Sequence, residues 1–139
     1  NVLDFAQKVP CVDCAIAYGA PCEVSDEKVM ITVQLKEGVP FEPDKVYEWF
    51  MQQQKEGGMD PKWMPDYIRV IEKFPVTDTQ KIIVRPFKRE NFNLDGDPSM
   101  RIYFRRRGDN TYLLLTPDEF KKIKEDFKTN GREAILSAG

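Results

Sequence analysis

Val29, Ile31, Val33 and Leu35 alternate without a break through the run KVMITVQL. A period of two over eight residues suits an extended chain with one face buried. Lys36-Glu37-Gly38 then supplies a turn composition that ends the strand. Upstream, Val12 to Gly19 (VDCAIAYG) has the same apolar character, and Gly19-Ala20-Pro21 reads as a turn. The two segments are expected to pair as antiparallel strands at the centre of a small sheet.

Helical spacing brackets them. Val2, Phe5, Ala6 and Val9 mark the tail of an amphipathic helix stopped by Pro10. Glu42-Pro43-Asp44 opens a second helix, with proline in the first turn and acids at its positive end. Val46, Trp49, Phe50 and Gln53 form its stripe, and Gly57-Gly58 ends it. Arg85 to Asn91 is a short basic helix, and Asn93 to Ser99 a turn-rich spacer. Met100 to Arg106 reads as a strand, Arg107 to Asn110 as a turn and Tyr112 to Leu115 as the returning strand. Thr116-Pro117-Asp118-Glu119 has the form of a capping box. The helix from Pro117 to about Lys128 buries Phe120, Ile123 and Phe127, with Gly131 at its end. The expected class is α+β: a small antiparallel sheet packed with helices, plus a C-terminal β-hairpin and helix. Residues 1–99 form the main unit, and 100–139 a hairpin–helix extension packed on it.

Composition removes several function classes. A net charge of −2 gives no global case for nucleic-acid binding. Histidine is absent, and with it the commonest proton shuttle and metal ligand, so no metal site is expected. Three cysteines are too few for a disulfide framework and point to a reducing compartment. Cys11 and Cys14 have CxxC spacing, but a strand would put them on opposite faces, as packing residues. No apolar run approaches the length that crosses a bilayer. The opening residues, without an initiator methionine, are expected to be the interior of a longer chain.

Chemistry concentrates between Met64 and Lys81. Tyr67-Ile68-Arg69-Val70-Ile71 favours a strand, which Pro75 must end because it cannot donate to a ladder. Val76-Thr77-Asp78-Thr79 is a turn rich in hydroxyls and carboxylate. Lys81 follows, and Ile82-Ile83-Val84 is expected to anchor the far end as a second strand. A lysine held between two anchored strands can reach a neighbouring domain, although a plain turn lysine in water has the same signature. Trp49 and Phe50 suit core packing, and Trp63 between Pro61 and Pro65 a domain interface.

Pro65, Tyr67, Ile68, Val70, Ile71, Phe74, Pro75, Thr77, Thr79 and Lys81 follow in the order of a motif from another source. They resemble the "lPxYxxPxxixxvxxlPxTxtGK" segment that closes adenylate-forming acyl-CoA synthetases. The strand Val12–Gly19, the strand Lys28–Leu35 and the helix from Pro43 to Gln54 resemble that family's preceding elements in order. Phe92–Asp97, Arg101–Phe104 and Thr111–Pro117 resemble the tail of its fatty-acid transport protein and very-long-chain acyl-CoA synthetase subgroup. One departure stands out: Gln80 occupies the place of the family's common glycine.

The resemblance implies the mobile C-terminal lid of a two-domain ligase that converts a carboxylic acid, ATP and CoA into acyl-CoA through an acyl-adenylate. It implies residues 1–99 as the lid domain, Lys81 as the catalytic lysine, and Thr77, Thr79 and Gln80 as its loop support. ATP (with magnesium) and CoA would be substrates bound mainly by the protein's own N-terminal adenylation domain, with the acid fatty or otherwise hydrophobic. Arg85, Lys88 and Arg89, and Arg105, Arg106 and Arg107 at the hairpin tip, are candidates for the phosphates of CoA or nucleotide. A solvated basic face is the plainer reading of both groups. A cytoplasmic setting is expected, with membrane association of the full-length protein left open. Two other readings compete: a ligase that loads a carrier protein instead of CoA, and a non-catalytic module binding an acidic partner or anionic lipid through its arginines.

Overall fold

In the computed structural model, which describes residues 1–106 and 108–138, the strands are β1 (Val12–Pro21), β2 (Glu27–Leu35), β3 (Tyr67–Ile71), β4 (Arg101–Phe104) and β5 (Leu113–Leu114). They form one sheet in the order β1-β2-β3-β4-β5. The α+β class holds, but the sheet is mixed, because β2 and β3 run parallel from Met30↔Tyr67 to Gln34↔Ile71. The reason lies between them. Helix α2 (Pro43–Glu56) carries the chain back over the sheet, and parallel neighbours require such a crossover. The other three pairs are antiparallel. β1 therefore lies at an edge rather than at the centre, since β3 takes the other side of β2. Gly19-Ala20-Pro21 also differs from expectation: it prolongs β1, pairing through Pro21↔Glu27, and Cys22–Asp26 makes the turn.

A bulge between Val12 and Cys14 shifts the register of β1 by one residue. It puts Val12 and Ala15 on one face although they are three positions apart. On that face Ala15, Ile31, Val33, Ile68 and Val70 pack against Ala6 of α1 (Val2–Ala6) and Val46 and Phe50 of α2. Completely burying a side chain such as Phe50 contributes about 1.5–3 kcal/mol. Trp49 is half-buried, edge-on to Phe50 at 5.3 Å. Trp63, also half-buried, packs on Phe5 at 6.2 Å.

The opposite face is divided. Met30, Tyr67, Ile102 and Phe104 meet Phe92, Leu94, and Phe120 and Phe127 of α4 (Pro117–Thr129). Tyr67 stacks on Phe92 at 4.0 Å with an interplanar angle of 6°. The N-terminus of α4 is capped as expected on one side, Thr116 Oγ1 accepting from the Glu119 N–H at 3.2 Å. Gly131, at φ +67°, turns the chain out of α4 into α5 (Glu133–Ala138), an element the sequence reading did not contain. The smaller cluster, under α3 (Arg85–Glu90), consists of Ile16, Phe74 and Phe87 with Cys14, Ile71, Ile82 and Val84 at its margin. Cys11 belongs to the first face and Cys14 to this one, so the two thiols are separated by the sheet. Burial raises the pKa of both above that of a free thiol.

Candidate active-site loop

Residues 72–84 leave the sheet at the C-terminal end of β3 and return in α3. Phe74 is buried, and its N–H donates to Gln34 Oε1 on β2 at 2.7 Å. The other end of the Gln34 amide donates to Asp13 Oδ2 at 2.9 Å, inside the bulge of β1. On the far side Phe87 is buried in α3 and meets Phe74 edge-on at 5.3 Å. The two phenylalanines thus close the base of a loop that spans the residues between them. Ile82-Ile83-Val84, expected as a strand, has no strand pairing. Pro86 lies in the first turn of α3 and the chain is already turning toward the helix, so Ile82 and Val84 pack against the Phe74–Phe87 cluster instead. Ile83 is left 52% exposed, and Val76 opposite it 53%.

The tip is organised by one side chain. Thr77 Oγ1 donates to the Lys81 carbonyl at 3.3 Å and accepts from the Lys81 N–H at 3.4 Å. It also shares a hydrogen bond with Thr79 Oγ1 at 2.9 Å. The Thr77 N–H donates to the Lys81 carbonyl at 3.2 Å, and the Gln80 N–H to the Thr77 carbonyl at 2.9 Å. The five residues Thr77–Lys81 therefore form a closed turn, as the hydroxyl-rich composition requires. Gln80 has φ +63°, in the left-handed region where a side chain costs about 1–2 kcal/mol. Lys81 is exposed and has no ion-pair partner among the described residues. Its ammonium is available as a mobile point charge with three donors.

Beneath the loop is a cavity of about 390 Å³, bounded by Arg69, Ile71, Lys73, Pro75, Thr77 and Phe87 among others. A broader cleft of about 890 Å³ adjoins it at the C-terminal ends of β2 and β3, sharing Ile71 and Lys73 and reaching Lys36 and Arg101. Of the basic candidates, Arg85, Lys88 and Arg89 stand exposed on α3 directly after the loop, with Lys88 3.5 Å from Glu27. Arg105 and Arg106 are elsewhere. The Arg105 N–H bonds the Asp66 carbonyl just before β3 begins, whereas the lysine loop follows its other end. Arg105 is also engaged internally: its Nε donates to the Pro65 carbonyl at 3.2 Å, which the Tyr112 hydroxyl also reaches at 2.7 Å. Arg106 lies 3.5 Å from Glu119 and 3.7 Å from Asp109, over the ring of Phe104. Arg107 lies outside the described residues. The structure thus brings Lys81, its threonines and the α3 cations to one end of the sheet, and leaves Arg105 and Arg106 at the other. Two contributors were not foreseen: Gln34, whose polarity fits the alternation of β2 and so gave no signal, and Arg69, an ion inside a strand. Only Arg69 was visible, as a charged residue in the otherwise apolar run of β3.

No family model matches the chain. A curated relative, steroid-22-oyl-CoA synthetase of Rhodococcus jostii (strain RHA1), is 28% identical over 119 residues, covering 86% of this chain and 20% of that protein. Among solved structures, coronafacic acid ligase from Pectobacterium brasiliense superposes with a TM-score of 0.57 at 10% identity, over 75% of this chain and 19% of that one. The fold is thus shared with part of a ligase, and the chain spans about a fifth of the length of each of these two proteins.

Proposed function

We propose that this chain is the C-terminal domain of an adenylate-forming acyl-CoA ligase, and that Lys81 is its adenylation lysine. The observation that carries the reading is a free lysine at the tip of a closed, doubly anchored turn. The similarity to a synthetase named for a steroid acyl group joined to CoA supports it. That name and the resemblance of the tail to the fatty-acid transport subgroup favour a fatty or other hydrophobic acid. A cytoplasmic setting, with membrane contact through the rest of the protein, belongs to the same proposal.

In the first step a carboxylate oxygen of the acid attacks the α-phosphorus of ATP, and the bond to pyrophosphate breaks. Negative charge is crowded between two anions that water would keep apart. Lys81 supplies an ammonium there, its backbone held by the closed turn and its long stem able to bring the charge to where negative charge develops. It acts by charge and hydrogen bonding, without a covalent intermediate. Thr77 and Thr79 hold the turn. ATP, with its magnesium, and the acid would be held mainly by the N-terminal domain. In the second step the CoA sulfur attacks the acyl carbon and AMP leaves. Arg85, Lys88 and Arg89 are the cations of this chain placed to meet phosphate beside the loop. Swinging the domain between the steps would withdraw Lys81 once its work is done.

The test is Lys81→Ala in the full-length parent, with the half-reactions assayed separately. Acid-dependent pyrophosphate exchange should fall by about 10²- to 10³-fold, while CoA capture of preformed acyl-adenylate continues. Wild-type exchange in the variant would end the proposal. A parent that exchanges pyrophosphate but never captures the adenylate with CoA would be the carrier-loading ligase. The interaction-module reading is weakened by Arg105 and Arg106, both already engaged within the chain.

A further inference from the structure

Arg69 projects from β3 between the buried Thr32 and Ile102, on the face that also carries Met30, Tyr67 and Phe104. Its side chain is 13% exposed. Nη1 donates to Glu90 Oε1 at 3.3 Å, and the guanidinium lies 5.3 Å from the centre of the Phe87 ring. Nε is buried without a hydrogen-bond partner among the described residues. For stability alone this is a poor arrangement. A desolvated cation with one donor unmet and a half-exposed partner does no better than an apolar side chain of equal length.

What Arg69 does have is position. From Val76 to Lys81 the lysine loop is exposed apart from the partly buried Thr77, so its orientation is set at its two ends. One end is Phe74, fixed to β2 through Gln34. The other is α3, a helix of six residues. Phe87 and Glu90 are three positions apart, on one face of α3. Arg69 grips both, one by its π-face and one by its charge. Through Phe87 it also backs the edge-on contact with Phe74. The ion and the two rings join strand, loop base and helix into one unit, which fixes where Val84, and hence Lys81, leaves the helix.

We propose that Arg69 is a positioning residue for Lys81, holding the lysine loop in its working orientation through Phe87 and Glu90. This rests on the adenylation role proposed for Lys81. The experiment compares Arg69→Met, Arg69→Lys and Glu90→Gln with Lys81→Ala, all in the full-length parent. Arg69→Met should leave the melting temperature unchanged or higher, and KM for ATP and acid within about threefold. The adenylation rate should nevertheless drop about 10- to 100-fold, the loss expected when a reacting group is misplaced by around an ångström. Adenylate capture by CoA should stay near wild type. Arg69→Lys should restore part of the rate, and Glu90→Gln, which leaves the strand untouched, should reproduce part of the loss. Hydrogen exchange gives a reading independent of activity: amides of Thr77, Gln80 and Lys81 should exchange faster in Arg69→Met, with those of β2 unchanged. If Lys81→Ala abolishes exchange of pyrophosphate while Arg69→Met and Glu90→Gln leave rate and amides as they were, the inference falls and the function stands. If Lys81→Ala is fully active, the function falls and takes the inference with it.

Discussion

At the scale of single residues the most informative position is Gln80. Its φ of +63° is one that glycine adopts freely and a β-branched residue almost never. The sequence comparison marked Gln80 as a departure, and the backbone shows what the departure costs: the turn keeps the left-handed geometry and a side chain bears it. Gln80→Gly should therefore leave adenylation within about threefold of wild type, because the geometry Lys81 needs is already the one glycine favours. Gln80→Val should lower it by about tenfold or more, since Val at positive φ would open the turn that Thr77 closes. Measuring pyrophosphate exchange in both variants checks this, and equal rates would show that the turn does not set the lysine. Thr77 was legible as a turn former, but its fourfold bonding to Thr79 and Lys81 was not. Composition says that a hydroxyl can bond, not to which atoms.

Between elements, tyrosine hydroxyls do much of the fastening. Tyr18 on β1 shares a 2.6 Å hydrogen bond with the fully buried Thr32 on β2. Burial pushes its phenol up to about 12, more than the Thr32 bond and the Arg69 charge lower it. Burial likewise raises Tyr67 and Tyr112 well above the ordinary phenol value, and Tyr112 bonds the Pro65 carbonyl ahead of β3. The sign follows directly. An unfolded tyrosine releases its proton near 10.0, while Tyr18 in the native state holds it to about 12. Its contribution is complete below pH 10 and is lost as pH rises from there through 12. Stability should decline across that window as tyrosinate absorbance appears, and the double variant Tyr18→Phe with Thr32→Val should decline less. The strands themselves were largely legible, because the alternation of β2 and the β-branched run of β3 report burial on their own. The parallel pairing was missed although its sign was present: a strand, a helix and a strand in succession cannot make a hairpin. Ile82–Val84 misled for the opposite reason. Three apolar residues fit a strand or the approach to a helix equally, and only Phe74, eight residues back, decides between them.

For the whole molecule, the sheet offers an apolar face to each helical layer, and no described helix is long and apolar enough to cross a membrane. Lys81 stands on the outside of this body, so its chemistry is expected on something held by another domain. The 139-residue chain alone should form neither acyl-adenylate nor acyl-CoA, and ATP-dependent product from the purified chain would contradict this. β4 and β5 continue the same sheet and α4 covers its second face, while Arg105 bonds back to Pro65 and Asp66 and the exposed Arg106 pairs with Glu119. The two margins of that sheet have a further consequence. Each is an open row of backbone donors and acceptors, a template on which a second molecule could polymerise. One margin is β5, only two residues long and too short to copy. The other is β1, ten residues long, kinked by its bulge at one end and finished by Pro21 at the other. The irregularity that gives Gln34 a partner in Asp13 is therefore also expected to discourage edge-to-edge pairing of one copy with another.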